Sequence, residues 1–340
     1  MTIRFLITTL VLLVMAMGFD MATGPQELTL LPRETGSIRF FPTLGLADRA
    51  PVGGLVQSLC FTHTEAFWEF RRGFMEFEIP AFPIPVLEAR IVLTETRGTG
   101  SVPVPPDLHE LSSYPADLAV SVEDYDRPTT FVAAFETDVN EPAGTFSFDI
   151  SNLLGRYQGG DLGFRVKLAM DPDGVCANQG SSFGEPSALP PRIEVTLGGV
   201  RVPFDIKPRA CPNKIPVGSQ GMLAAAILGT DDFDVHSVDL TSLRLLGIAP
   251  LKVVFEDVAA PFQPSAPGDS DPQCTDEGPD GIQDLTLKFD ARQVMQAVQA
   301  MLGRPPEDQQ TLFLSIRGML IDGTPFRGDD VVIVVSKPAR

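Results

Sequence analysis

The sequence contains few of the residues on which most catalytic sites depend. Its 340 residues include three histidines, four cysteines, three tyrosines and one tryptophan. It also lacks the HExxH, phosphate-binding-loop and dinucleotide-binding motifs, and with them the usual sequence signs of metalloproteases, nucleotide-binding proteins and dehydrogenases. We therefore predict that the protein is not an enzyme. The alternative is an unrecognised extracellular hydrolase with two carboxylates across a cleft, whose separation a sequence does not give.

One short string matches a catalytic signature. Residues 180–184 read Gly-Ser-Ser-Phe-Gly and fit the G-x-S-x-G pattern of serine hydrolases. A nucleophile elbow needs a strand before its serine and a helix after it, whereas turn-forming residues lie on both sides here. We interpret this string as a glycine-rich loop.

Basic residues are also scarce. Lysine and arginine total 26 against 44 aspartates and glutamates, which gives a formal net charge of −18. An acidic surface repels phosphate backbones and anionic lipid headgroups, so we expect no nucleic-acid partner.

Long apolar runs are limited to the N-terminus. Arg4 precedes an apolar stretch, residues 5–19, that ends at Asp20. The stretch is short for a membrane span of about 20 residues, so residues 1–24 are predicted to be a signal peptide. The alternative is an uncleaved anchor, which would be the only contact with a membrane. The expected location is extracellular or periplasmic.

The four cysteines of the exported chain are predicted to form disulfides. An even number of cysteines in an oxidising compartment favours this, and the absence of any CxxC pair argues against a zinc site. Three pairings are possible. A domain boundary near residue 199 would give Cys60–Cys176 and Cys211–Cys274.

Hydrophobic residues alternate with polar ones in many short segments separated by glycine and proline. Examples before residue 199 are residues 74–79, 90–95, 145–150, 163–168 and 192–197; after it, candidate strands are residues 204–206, 221–228, 251–255, 285–289, 312–316 and 331–335. Alternation of this kind is typical of antiparallel sheets with one face in solvent. We predict an all-β protein: a polar leader over residues 25–36, then two β-sandwich domains in tandem, residues 37–198 (jelly-roll-like) and 199–340. One short helix is expected at residues 291–301.

Two resemblances accompany this pattern. Residues 72–79, 87–93, 148–150, 163–165 and 183–186 follow one another as in jelly-roll modules of bacterial secreted proteins, similar to carbohydrate-binding modules of the DNRLRE type. Residues 202–208, 226–235, 256–258, 280–285 and 322–328 resemble a second, uncharacterised β module of secreted bacterial proteins. The resemblances imply a compartment and an architecture for both halves.

The acidic stretch at residues 276–284 has most of the spacing of a calcium loop. Carboxylates fall at positions 1, 5 and 9 and a glycine at position 6, whereas position 3 is glycine and position 12 is leucine. We predict a calcium site formed by Asp276, Asp280, Asp284, the backbone of Ile282 and, from the second resemblance, Asp257. The alternative is a solvated acidic turn.

Sugar binding would need exposed aromatic rings beside polar groups. The candidates are Trp68, Tyr114 and Tyr125, with Trp68 in the core as the alternative. We predict a secreted, non-catalytic binding or surface-matrix protein, stabilised by calcium, whose partners are polysaccharides or other envelope components. A carbohydrate-binding protein proper, or a purely structural envelope protein, are the alternatives.

Overall fold

The computed structural model describes residues 25–50, 56–64, 67–96, 106–138, 140–171, 176, 178–184, 190–262 and 274–336. The predicted signal peptide lies outside these residues. The fold is all-β, as predicted, and its strands form two modules. None of the helices in the described ranges has the length and apolarity needed to cross a bilayer.

The N-terminal module occupies the described residues up to Leu197. Its elements are β1 (Gln26–Leu30), β2 (Glu34–Phe41), β3 (Leu46–Arg49), β4 (Val56–Thr64), β5 (Phe67–Glu78), β6 (Val86–Thr96), β7 (Asp107–Pro115), β8 (Thr130–Thr137), β9 (Thr145–Asp149), α1 (Ser151–Arg156), β10 (Asp161–Leu168), β11 (Gly180–Phe183) and β12 (Arg192–Leu197). All strand pairs within it are antiparallel.

Two layers of strands enclose the core of this module. One layer contains β1, β12, β6 and β9, and the other is built around the long strand β5, which pairs with β2, β4 and β10. Strand β11 connects the layers by pairing with both β4 and β6. The buried core draws on both layers, for example Ile91 and Val195 from the first and Phe77 and Phe164 from the second. Burial of these side chains is the main stabilising contribution.

The predicted polar leader is wrong. Residues 26–30 form β1, which pairs with β12 from Gln26↔Leu197 to Leu30↔Ile193. Leu28 and Leu30 alternate with polar residues and pack against the core, so this short segment covers the edge of β12. The leader prediction failed because so short an alternation is a weak signal.

The C-terminal module occupies the described residues from Val200 to the end of β21. Its elements are β13 (Val200–Arg201), β14 (Phe204–Ile206), β15 (Lys214–Pro216), β16 (Met222–Ile227), β17 (Arg244–Leu245), β18 (Lys252–Glu256), β19 (Asp284–Asp290), α2 (Ala291–Leu302), β20 (Thr311–Met319) and β21 (Pro325–Val335). One sheet has the order β13-β21-β20-β17, with β15 also on β21; the other has the order β14-β16-β19-β18. Residues of both sheets and of α2 form its core.

Helix α2 follows the prediction closely. Asp290 caps its N-terminus by accepting hydrogen bonds from the backbone N–H groups of Arg292 and Gln293. Val294 and Val298 are buried on one face. Gly303 ends the helix with a φ of 69°, a left-handed conformation that favours glycine.

Both predicted disulfides are present, one in each module. Cys60 and Cys176 have Cα atoms 5.7 Å apart, and Cys211 and Cys274 have Cα atoms 5.2 Å apart. The second disulfide ties the loop after β14 to the start of the acidic stretch. Each cross-link lowers the entropy of the unfolded module.

Candidate functional sites

The acidic stretch is a loop held by hydrogen bonds from backbone N–H groups to two carboxylates, one inside the stretch and one before it. The Asp284 carboxylate is buried and accepts hydrogen bonds from the N–H groups of Gly229, Val258 and Ala259, at 2.9, 2.8 and 3.2 Å. The Asp257 carboxylate accepts from the N–H groups of Asp280 and Gly281, at 3.1 and 2.8 Å. Gly281 has a φ of 95°, so the expected sharp turn at this glycine is present.

In this arrangement the predicted ligand oxygens accept hydrogen bonds from the backbone. Calcium needs six to eight converging oxygens, whereas Asp257 and Asp284 point at backbone N–H groups. Asp276 and Asp280 are exposed, and the Asp280 carboxylate accepts from the N–H of Ile282 at 2.9 Å. Within the described ranges, no group of three or more histidine, cysteine or acidic side chains could hold a metal ion. Calcium binding by this loop stays a prediction.

Two of the three predicted sugar-binding aromatics are buried. Tyr114 and Tyr125 are 1% and 4% exposed. The Tyr114 hydroxyl donates to Oε1 of Glu76 at 2.9 Å, and the Tyr125 hydroxyl donates to Oδ1 of Asp171 at 3.3 Å. A ring buried on both faces offers no stacking surface, so these two residues are corrected to core positions. Burial and the neighbouring carboxylates raise the pKa of both hydroxyls above the usual range.

Trp68 is partly buried and packs beside the Cys60–Cys176 disulfide. Its indole Nε1 is buried and has no hydrogen-bond partner within the protein. Of the predicted aromatic candidates, Trp68 alone retains accessible ring surface.

A charged network that sequence reasoning missed surrounds Tyr125. The Arg72 guanidinium lies 3.7 Å from the Tyr125 ring centroid, and its Nε donates to Oδ2 of Asp171 at 2.7 Å. Arg165 donates to the carbonyl oxygen of Tyr125 at 3.1 Å. These contacts pack a strand-edge loop onto β5 and β10. Sequence spacing gave no signal, because the partners are 40 to 99 residues apart.

The histidines give no accessible catalytic pair in the described part of the chain. His109 is buried between Ser58 and Thr137, with hydrogen bonds of 2.8 Å at Nδ1 and 2.9 Å at Nε2. Ser181 bonds Thr137 and Glu95 at 2.9 and 2.6 Å, which extends the polar chain. Burial lowers the pKa of His109 to about 3, so the ring is neutral.

The other catalytic candidates also have structural roles. His236 is exposed, and its Nδ1 lies at hydrogen-bond distance, 2.9 Å, from Oδ1 of Asp234. Its ring stacks on the Phe255 ring, with 4.4 Å between the ring centroids. Residues 180–183 form strand β11, so the loop interpretation of this string is wrong, and Ser182 accepts a hydrogen bond from Gln57 inside the sheet. Ser182 therefore lies within a strand and not on a strand-to-helix elbow.

A third group, called the carboxylate cluster below, consists of Asp205, Asn213 and Asp330. All three are buried in the C-terminal module. The Asn213 amide nitrogen lies 3.0 Å from Oδ2 of Asp330 and 3.4 Å from Oδ1 of Asp205. Oδ2 of Asp205 and Oδ1 of Asn213 have no hydrogen-bond partner among the residues that the structure describes.

The two modules meet at a buried ionic contact, called the module junction below. It consists of Arg317 and Arg327 from the C-terminal module and Glu88, Asp149 and Ser151 from the N-terminal module. Arg327 is 1% exposed and donates to the Ser151 hydroxyl at 2.8 Å. Burial opposes ionisation of Asp149, but Arg327 and Arg317 outweigh it and lower the pKa of this carboxyl.

Contacts between β8 and the C-terminal end of α2 extend the junction. The Arg304 guanidinium lies 4.1 Å from the Phe131 ring centroid. A Cβ atom on Gly303 would lie 1.8 Å from the carbonyl oxygen of Ala134, so only glycine allows this approach of α2 to β8.

Comparison with known proteins yields little. No known family and no curated protein matches this chain. Among solved structures, the N-terminal domain of the Streptococcus gordonii adhesin Sgo0707 aligns with 88% of this chain and 66% of its own length, so the aligned part is just under two thirds of that adhesin domain. The sequence identity is 9% and the TM-score 0.19, a similarity that carries no argument about fold or function.

Proposed function

We propose that the protein is an exported, non-catalytic surface protein whose two β modules act as one rigid binding unit. The observation that carries the proposal is the module junction. Modules that moved independently would not bury an arginine that bonds to groups of both. Two disulfides support export, because disulfides persist in oxidising compartments.

The absence of catalysis rests on what the titrating residues do. His109 bonds to two hydroxyls inside the sheet, and Tyr114 and Tyr125 bond to buried carboxylates. A general base must reach a substrate proton, and a fully buried ring cannot. A panel of chromogenic esters and glycosides is expected to show no turnover. Turnover that disappears with His109→Ala would contradict this part of the proposal.

Polysaccharide binding is the second candidate function, and the partial exposure of Trp68 is the observation that favours it. Aromatic stacking on a sugar contributes to binding only where a ring face is accessible. Depletion of the protein from solution by insoluble cell-wall polysaccharide would be measured for the parent, Trp68→Ala and Phe61→Ala. Phe61 is a matched control, because it is 38% exposed on the adjacent strand β4.

The expected result is depletion of the parent and Phe61→Ala but not of Trp68→Ala. Circular dichroism would verify that each variant is folded. Equal depletion of all three proteins would exclude Trp68 as the sugar contact. No depletion of the parent by any preparation would exclude polysaccharide as the ligand and leave the purely structural envelope role.

A further inference from the structure

The carboxylate cluster combines two buried acids with too few donors. Asp330 accepts from the N–H groups of Ile206 and Val331, each at 2.6 Å, and from the Asn213 amide. Asp205 has one long contact to the same amide, and its second oxygen has no donor. The Asn213 oxygen also has no donor. A buried acceptor oxygen that receives no hydrogen bond is unfavourable.

The charges near the cluster do not relieve this. Asp284 acts on Asp205 as a like charge, and Asp205 acts on Asp330 in the same way. Of the basic groups on the adjoining segments, Lys207 directs its Nζ to the carbonyl oxygen of Lys214 at 2.9 Å, and Lys214 itself is exposed. Arg327, on the same strand as Asp330, bonds to Asp329 and the module junction. An ionised Asp205 would therefore be a buried charge without a counter-ion.

We propose that the carboxylate cluster is a proton-binding site, at which Asp205 holds a proton that the C-terminal module loses, with a loss of stability, above neutral pH. A proton on Asp205 turns its unpartnered oxygen into a hydrogen-bond donor. It also removes one of the three neighbouring negative charges, those of Asp205, Asp284 and Asp330. A metal ion fits less well, because two free oxygens are far fewer than the six to eight that calcium takes. This inference is independent of the proposed binding role.

The pKa shifts of both acids agree with the geometry. Burial raises the pKa of Asp205 to about 7, with a smaller contribution from Asp284, and burial also raises the pKa of Asp330. Close acids titrate as a pair, so the values belong to the cluster as a whole. A folded-state pKa above that of the unfolded chain stabilises the fold at low pH, and this stabilisation is lost as the pH rises through about 7.

The cluster lies at the base of the loop that follows β14. Asn213 closes the loop after β14, and Cys211 in this loop is bonded to Cys274 at the start of the acidic stretch. The N–H of Ile206 at the end of β14 depends on Asp330 as its acceptor. Loss of the proton leaves a buried charge on Asp205 in β14, so we expect β14 and the loop after it to be destabilised first.

Thermal melts of the full-length, oxidised protein at pH 6 and pH 9 test this proposal. The unfolding equilibrium constant of the parent is expected to rise about tenfold between the two pH values, which corresponds to a fall in Tm of about 4 °C. Asp205→Asn supplies an amide N–H in place of the proton. Its Tm is expected to equal that of the parent at pH 6 and to exceed it by about 4 °C at pH 9.

Asp232→Asn is the matched control, because it removes an exposed carboxylate from the same module. It is expected to keep the pH dependence of the parent. Hydrogen exchange of the parent over residues 204–216 gives a second measurement that needs no variant, and exchange at pH 9, corrected for its intrinsic rate, is expected to be faster than at pH 6.

Two results would overturn the proposal. The first is a Tm difference between pH 6 and pH 9 that is equal in the parent and in Asp205→Asn, together with corrected exchange over residues 204–216 that is the same at both pH values. The second is a recovery of the pH 9 Tm by millimolar calcium, in the parent but not in Asp205→Asn, which would identify a metal ion instead of the proton.

Discussion

Two arginines at the module junction provide a sharp test of the architecture. Arg317 and Arg327 are directly opposite each other on β20 and β21 and both bind Asp149. They differ in burial: the Arg327 side chain is 1% exposed and the Arg317 side chain 34%. We expect Arg327→Met to destabilise the protein strongly and Arg317→Met to destabilise it weakly.

The magnitudes follow from the contacts of each side chain. Arg327 bonds to Ser151, Ser315, Asp149 and Asp329, and its pair with Asp329 is buried on both sides, at 1% and 8% side-chain exposure. Removing one partner of such a buried pair costs about 3–5 kcal/mol. Arg317 pairs with Glu88 at 2.9 Å and with Asp149 near solvent, and partly exposed pairs contribute about 1 kcal/mol or less.

Differential scanning calorimetry would measure both variants. The expected fall in Tm is about 10 °C for Arg327→Met and about 3 °C or less for Arg317→Met. A buried junction also couples the modules, so the parent is expected to melt in one transition and Arg327→Met in two. Equal Tm values for the two variants, or two transitions in the parent, would refute the reasoning that Arg327 joins the modules.

Three further predictions test individual groups. His109 has a folded-state pKa of about 3, below that of an unfolded histidine, so its neutral form stabilises the fold above pH 6.5 and this stabilisation is lost as the pH falls towards 3. In urea melts, the free energy of unfolding of the parent should therefore fall by about 3 kcal/mol more than that of His109→Gln between pH 7.5 and pH 4.5. If the acidic stretch binds calcium, millimolar calcium at a hundredfold excess over Kd should raise the free energy of unfolding by about 2.7 kcal/mol relative to EDTA, and so raise the Tm, in the parent but not in Asp280→Ala; an unchanged parent Tm would contradict the predicted site. Replacing both cysteines of either disulfide by alanine should lower the free energy of unfolding by about 4–5 kcal/mol, because the loops span 116 and 63 residues, and a loss below about 1 kcal/mol would show that the disulfide does not constrain the unfolded chain.

The sequence predicts the strands well where alternation is long enough. Residues 192–197 coincide with β12, and residues 285–289 lie inside β19. Each of these segments places apolar side chains on one face of its strand, and tertiary packing then buries that face. The segment at residues 26–30 is too short and too polar for this signal. Its strand forms because β12 offers it an open edge, which is information from outside the segment.

The candidate sites were harder to predict, because their chemistry depends on distant partners. Tyr114 and Tyr125 have the polar ring ends that suit sugar binding, but Glu76 and Asp171 turn those hydroxyls inward. Asp284 keeps the calcium-loop register, yet Gly229 and residues 258–259 take its oxygens. The type of a residue indicates what it can bind, and the fold decides which partner it meets first.

The approach of Gly303 to the carbonyl oxygen of Ala134 limits how this chain can be recombined. A module that is exchanged between proteins usually carries a self-contained surface. Here the end of α2 is shaped to the backbone of β8, and Arg327 needs acceptors from β9 and α1. A chimaera that keeps one module must therefore supply the glycine, or the aspartate and serine, that the other module contributes, so we expect the two modules to be exchangeable only as a pair.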